Sequence, residues 1–381
     1  MKIFLKIFFV MFSFVLIKCS QPIILKNKID EQKGILQFGI TSDRNFFVDK
    51  NISDKLEQIW SNETYGSFSN SSLLVYDKYL FVSDLSGRLF VFDRLNGKQI
   101  GYEKFSGEIL VSPIINSFRI YIPVNNSEKK YSTIITFDFL QGKILNELKI
   151  DGKINFELIK ADDGILVITN KGEICKVNFI GDLEWKVKLD FEIISNASLK
   201  NNLCFLGNNK SELILFDLAK KEIIKKIKLQ SNITSGIAFE NDFLFFTTED
   251  GTVYSYNYVN NKINWYVKTN SKAITFPVQD SKNIYIGNLG GEYFCFEKIS
   301  GKIIWKFSSN SLFNSTPLLF NNLIVIPDNN KKVYLLDVKN GNVLSTLNFE
   351  RRVKLTPLFY EEIIYFGVDR GEIYAYKVSI N

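Results

Sequence analysis

Histidine is absent from all 381 residues, which removes Ser-His-Asp triads, His-ligated zinc and imidazole acid–base catalysis together. The carboxylates that stand side by side are Asp162-Asp163 and Glu361-Glu362. Neighbours along a strand point to opposite faces, and both pairs fall between β-rich runs, so they are expected in solvated hairpin turns. Of the four cysteines, Cys175, Cys204 and Cys295 are widely spaced in apolar runs. That spacing builds neither a disulfide framework nor a metal site, and buried thiols are expected. No acidic cluster has calcium-loop spacing. Glycines recur, but β-rich runs follow them and not helices, so a phosphate-cradling loop lacks its context. Trp60, Trp185, Trp265 and Trp305 could stack on a ligand, yet their regular placement points to packing between repeated units. The expectation is a binding protein without catalytic residues, cofactor or metal.

Cys19 is the exception among the cysteines. Lys2 and Lys6 precede an apolar run from Ile7 to Ile17, too short to span a bilayer comfortably and of the form of a secretory signal. The run ends Leu16-Ile17-Lys18-Cys19. This resembles the lipobox of bacterial lipoproteins, in a lax form of the kind found in spirochaetes, with Lys18 where a small residue is usual. The resemblance implies a signal peptide over 1–18, lipidation at Cys19, a tether over 19–33 and a folded domain over 34–381. Removing residues 1–18 removes three lysines and no acid, so the formal charge falls from +6 to +3. That balance is no footprint for nucleic acid. The run Lys220-Lys221-Glu222-Ile223-Ile224-Lys225-Lys226 alternates with apolar residues and reads as a solvated strand face.

The elements that position these residues follow from an internal repeat. Pro277, Pro317 and Pro357 lie 40 residues apart, and equivalent positions fall at Ser72, Pro113, Glu157, Ala197 and Gly236. Each unit opens on a short apolar strand, as in Pro317-Leu318-Leu319-Phe320. A β-rich run such as Asn283-Ile284-Tyr285-Ile286-Gly287 follows, then a glycine turn and a third strand, as at Gly251-Thr252-Val253-Tyr254. A second turn, Asn96-Gly97-Lys98 or Ser300-Gly301-Lys302, opens a fourth strand. Alternating β-branched and aromatic residues between Gly/Asn/Asp turns mark strands and hairpins. Four short strands in about 40 residues make a propeller blade. The fold class is therefore all-β: an eight-bladed β-propeller of four-stranded antiparallel blades.

The tryptophans predict how the ring closes. Trp185, Trp265 and Trp305 each lie 12 residues before the next anchor position, and Trp60 lies 12 before Ser72. The last unit reaches Asn381 after its third strand. The segment ending at Trp60 is thus expected to supply the outer strand of blade eight, hiding the edges an open ring would expose.

The run from Ile284-Tyr285-Ile286-Gly287 to Gly301-Lys302-Ile303-Ile304-Trp305, with Gly371-Glu372-Ile373-Tyr374-Ala375-Tyr376, resembles the quinoprotein (PQQ-type) propeller repeat. The resemblance covers residues 57 to 381, with blades two to four degenerate. One branch of that superfamily comprises quinone-dependent dehydrogenases holding a cofactor and calcium. The other comprises BamB-like lipoproteins of the outer-membrane barrel-assembly machinery, which hold no cofactor. Signal, length and missing chemistry favour the second. It implies a scaffold lipoprotein on the periplasmic face of the outer membrane, a monomer within a complex, partnered by a barrel-assembly protein or other envelope proteins. A surface-exposed adhesion lipoprotein is the alternative, and a quinone-dependent dehydrogenase the third reading. In BamB-like proteins the loops before the first strands of the central blades contact the barrel-forming subunit. Here that position holds Asp190, Glu192, Ser231 and Asn232.

Overall fold

The structure, a computed structural model, describes residues 22–26, 29–30 and 33–380. Eight sheets, each built on an antiparallel four-stranded blade, form the ring. The innermost strands are Leu74–Tyr76, Ile114–Asn116, Ile159–Ala161, Ser198–Lys200, Ala238–Glu240, Val278–Gln279, Leu318–Phe320 and Leu358–Tyr360. Each begins at or just after an anchor position of the repeat. In blade eight the outermost strand is Ile52–Glu63, antiparallel to Glu372–Ile380 with Trp60 opposite Ala375. The ring is closed by the N-terminal strand as the spacing predicts.

The apolar residues do not form one central core. Among the described residues they form eight clusters, most of them shared between neighbouring blades. Ile114, Tyr121 and Ile134 of blade two, for example, pack with Ile165, Val167 and Cys175 of blade three. Cys175, Cys204 and Cys295 are free and buried, and burial pushes all three thiols up to about 12.

A single backbone position joins most blades. Inside the turn between the third and fourth strands, one carbonyl faces the preceding blade and accepts a hydrogen bond from it. The Nε1–H of Trp60, Trp265 and Trp305 donates to the carbonyls of Arg94, Lys298 and Val338 at 2.7–3.0 Å. Lys225 donates to Tyr258 O at 3.1 Å and the Tyr121 hydroxyl to Phe179 O at 2.7 Å. Each of those three indoles lies flat on a glycine three residues after the carbonyl. A Cβ at Gly301 would sit 2.6 Å from the Trp265 ring, and its φ of +72° already disfavours any other residue. Blade four carries Lys221 at this place, also at positive φ. Its ammonium sits over the Trp185 ring instead.

The N-terminal residues go beyond the expectation of a free tether over 19–33. Blade one has Gly101 where four of the other blades carry tryptophan, opposite Val91 as Trp265 is opposite Ser255. Residues 23–25 fill the vacancy. Leu25 N donates to Phe139 O at 2.8 Å, the carbonyl an indole would reach, and Ile24 lies against Gly142. Ile23 and Leu25 are fully buried there. The chain then crosses to the ring axis: Gly34–Ile35 pairs with blade one and Phe47–Val48 runs parallel to the inner strand of blade seven, so both sheets have five strands.

Gly301→Ala is expected to lower unfolding free energy by about 1–3 kcal/mol and to shift Trp265 emission to the red. Unchanged urea midpoint and emission would refute the indole–glycine contact as a joint between blades five and six.

Candidate functional site

In a four-stranded meander, the turns joining strands one to two and three to four share one end. The remaining turn and the blade-to-blade connection share the other. The disc therefore has a turn face and a connection face, and its axial channel runs between them.

Residues 34–48 enter the channel from the turn face and plug it. Successive residues satisfy the inner strands of different blades: Leu36 O accepts from Ile115 N (2.9 Å), Gln37 Oε1 from Lys160 N (3.0 Å), Ser42 O from Leu199 N (3.2 Å) and Phe46 O from Leu319 N (3.0 Å). Phe38, Phe46 and Phe276 meet at centroid separations of 5.2–5.7 Å. Gly236 at the blade-five anchor makes room, since a Cβ there would lie 2.2 Å from the Phe276 ring.

Arg44 sits at the middle of the plug, 1 % exposed. Its guanidinium donates to Phe38 O (2.8 Å) and to Glu157 O and Leu158 O (both 3.0 Å). Burial lowers its pKa to about 10, so it stays charged at neutral pH, its charge balanced in part by Glu157. Glu157 replaces the anchor proline of blade three, and its carboxylate accepts from Ser112 N at 2.8 Å. Burial pushes Glu157 up to about 7, with Arg44 and Ser112 opposing the shift. Sequence reasoning noted Glu157 only as a degenerate anchor and missed its partner. An acid at an otherwise uncharged inner-ring position was the available signal.

Above the plug, on the connection face, a cavity of about 220 Å³ remains. Asn70, Asn155, Asn196 and Asn314 line it, with Phe38, Phe276 and Glu157 among its other walls. A redox quinone with its metal, as in the dehydrogenase branch, does not fit these residues. The cavity is below the roughly 300–1,000 Å³ of small-molecule sites, and the guanidinium on the axis is committed to backbone carbonyls. Among the described residues no group of three His, Cys, Asp or Glu side chains could hold a metal ion.

The four expected partner-binding residues lie together on the connection face, in the connections leading into blades four and five. Asp190 is exposed between Lys210 (3.4 Å) and Lys226 (3.9 Å), which hold its carboxyl below the usual range. Both ammonium groups also lie over the Phe191 ring, at 5.4 and 5.0 Å. Glu192 accepts from Asn209 Nδ2 at 3.4 Å. Asn232 Oδ1 is occupied by Ser211, accepting from its N–H (3.1 Å) and hydroxyl (2.9 Å), so this side chain braces the loop. Ser231 is half-buried beside it. Asp162-Asp163 and Glu361-Glu362 lie in hairpin turns on the opposite face, with Asp163 paired to Lys176 and Glu361 to Arg94. Residues 1–18 and Cys19 lie outside the described residues.

For an acid whose folded pKa is raised, the protonated form favours the fold. Stability from Glu157 is present below the ordinary carboxyl value near 4.5 and is lost as pH rises toward about 7. Glu157→Gln keeps the acceptor for Ser112 and removes that slope. Between pH 5 and pH 8 the variant is expected to gain on the order of 2 kcal/mol over the parent in urea unfolding. Parallel pH profiles would show that Glu157 is ionised throughout.

Comparison with known proteins agrees with this geometry. No curated protein sequence matches the chain. The crystal structure of BamB from Moraxella catarrhalis superposes with a TM-score of 0.71 at 12 % identity, over 85 % of this chain and 100 % of that one. Quinohemoprotein alcohol dehydrogenases are similar too. That from Pseudomonas putida gives 0.76 at 10 % identity, over 94 % of this chain and 83 % of that one. That from Comamonas testosteroni gives 0.74 at 9 %, over 92 % and 81 %. At such identities these likenesses speak for the fold alone. The family model described as outer membrane protein assembly factor BamB matches residues 54–267 and 264–379, nearly the whole ring, so the chain belongs to that family.

Proposed function

We propose that this chain is a non-catalytic scaffold lipoprotein of the bacterial envelope, an accessory in assembly and insertion of outer-membrane β-barrel proteins. Acylation at Cys19 holds it on the periplasmic face of the outer membrane, and the connection face meets the barrel-forming partner. Membership of the BamB family carries the reading. The plugged axis supports it, because the channel that could house a cofactor is occupied by Arg44 and three phenylalanines. What the ring then offers is surface: a rigid disc with Asp190 and Glu192 on the connection from blade three to blade four, beside Lys210 and Lys226 of blade four. A charged patch of this type contributes to encounter and register more than to raw affinity.

Affinity purification of the tagged chain from detergent extracts is expected to bring down an outer-membrane barrel insertase. Asp190→Lys with Glu192→Lys should reduce that recovery about tenfold at an unchanged thermal midpoint. Recovery without an insertase, together with cleavage by protease added to intact cells, would replace this reading with a surface adhesion lipoprotein.

A further inference from the structure

The turn between the third and fourth strands is built alike in seven blades. Asp93, Asp138, Asn178, Asp217, Asn257 and Asp337 each accept, at Oδ1, the N–H of the residue two positions on. Glu297 keeps the same backbone bonds, to Lys302 O and from Gly301 N. The residue two after the cap is therefore presented at the same height in each of these seven blades, at the outer part of the turn face. Turn tips of this kind ordinarily carry Gly, Asn, Asp or Ser. Here Leu95, Leu140, Ile180, Val259 and Ile299 occupy five of the seven. Ile299 is 83 % exposed, Ile180 63 %, and Leu95 and Val259 57 % each. Scattered exposed aliphatics need no explanation, but these recur at one position on one face, and all except Leu140, which is half-buried against the core of blades one and two, contribute little to the core.

Two further observations say what meets that face. Lys98, Lys143, Lys262 and Lys302 each stand three residues after a tip and are exposed. The outer turns also hold carboxylates, but the caps Asp93, Asp138, Asp217 and Asp337 are spent on backbone N–H groups, Asp182 accepts from Asn146, and Glu222 takes the lysine position in blade four alone; at the first turns, nearer the axis, Asp163 and Glu361 are paired with Lys176 and Arg94. In blades one, two, five and six the outer rim thus sets an aliphatic tip beside an ammonium group, the pairing that suits acyl chains beneath anionic headgroups. The N-terminal segment also leaves the disc here. Ile23 is pinned beside the blade-two turn, against Gly142. From Ile23 back to Cys19 the chain spans at most ~14 Å, so an acylated Cys19 would bring this rim to the lipid.

We propose that the turn face is a lipid-docking surface: the disc lies on an anionic membrane with Leu95, Leu140, Ile180, Val259 and Ile299 in the interface and the adjoining lysines at the headgroups. The connection face, with Asp190 and Glu192, then points away from the membrane. The inference uses the N-terminal anchor of the proposed function for its setting, and the test supplies an independent tether so that the two can fail separately.

The native cysteines of the ring are buried, so a single introduced cysteine can be labelled with an environment-sensitive dye. Residues 20–381 with an N-terminal hexahistidine tag are held on phosphatidylethanolamine/phosphatidylglycerol vesicles by a nickel-chelating lipid. Dye at Ile299→Cys or Ile180→Cys is expected to shift to the blue and brighten about twofold or more. Dye at Asn310→Cys, exposed on the connection face, should not change. The response should weaken when phosphatidylglycerol is replaced by phosphatidylcholine. Three results would each overturn the proposal: no response at any position, equal response on both faces, or shielding of the Ile299 and Ile180 dyes in vesicle-free solution as protein concentration rises, which would assign the face to a second copy of the chain.

Discussion

Each blade of this ring depends on its neighbour for a wall. The apolar clusters lie largely between sheets, so two adjacent blades share one core and a ring left open would expose the flanks of its terminal blades. The carbonyl inside each outer turn is the polar counterpart of that constraint. Buried against the preceding blade, it needs a donor, and in six of the seven turns the chain supplies an indole, an ammonium, a phenol or a main-chain amide to the same place. Different residues satisfy one geometric demand, which explains how blades of little mutual similarity stack at a common angle.

The same constraint gives the N-terminal segment its path. Where blade one offers Gly101 and no indole, residues 23–25 take up the position. Where the inner strands leave polar groups facing the axis, residues 34–48 accept from them blade by blade. Arg44 is tolerated at full burial because backbone carbonyls from the plug and from blade three converge on it and Glu157 lies nearby. Among the described residues, a channel satisfied in this way leaves open only the cavity of about 220 Å³ above the plug on the connection face.

Much of the fold was legible in the sequence because it repeats. The anchors about 40 residues apart fixed the blades, and tryptophans 12 residues ahead of the anchors identified the segment ending at Trp60 as the missing outer strand from spacing alone, a strand that runs from Ile52 to Glu63 in the structure. The plug and the docked residues 23–25 were not legible, because they occur once and have no period of their own. Their signals were local: a glycine at 101 in place of tryptophan, and an acid at the 157 anchor. The positions of Asp190, Glu192, Ser231 and Asn232 in neighbouring connections follow from the repeat. The bracing role of Asn232 does not, since it depends on the turn of Ser211 across the blade.

The closing strand also sets the order in which the molecule can be made. Ile52 pairs with Ile380 and Glu63 with Glu372, so a strand translated early finds its partner only after seven blades have followed it. Contacts of such sequence separation are slow to form, and until they form the ring has two bare edges. The charges spaced along Asp54, Lys55, Glu57 and Glu63 leave one of those edges poorly suited to pairing with a stranger. Loss of residues 372–380 would therefore cost the molecule its closure rather than one blade, and a cell making this protein must keep an open horseshoe soluble until that strand arrives.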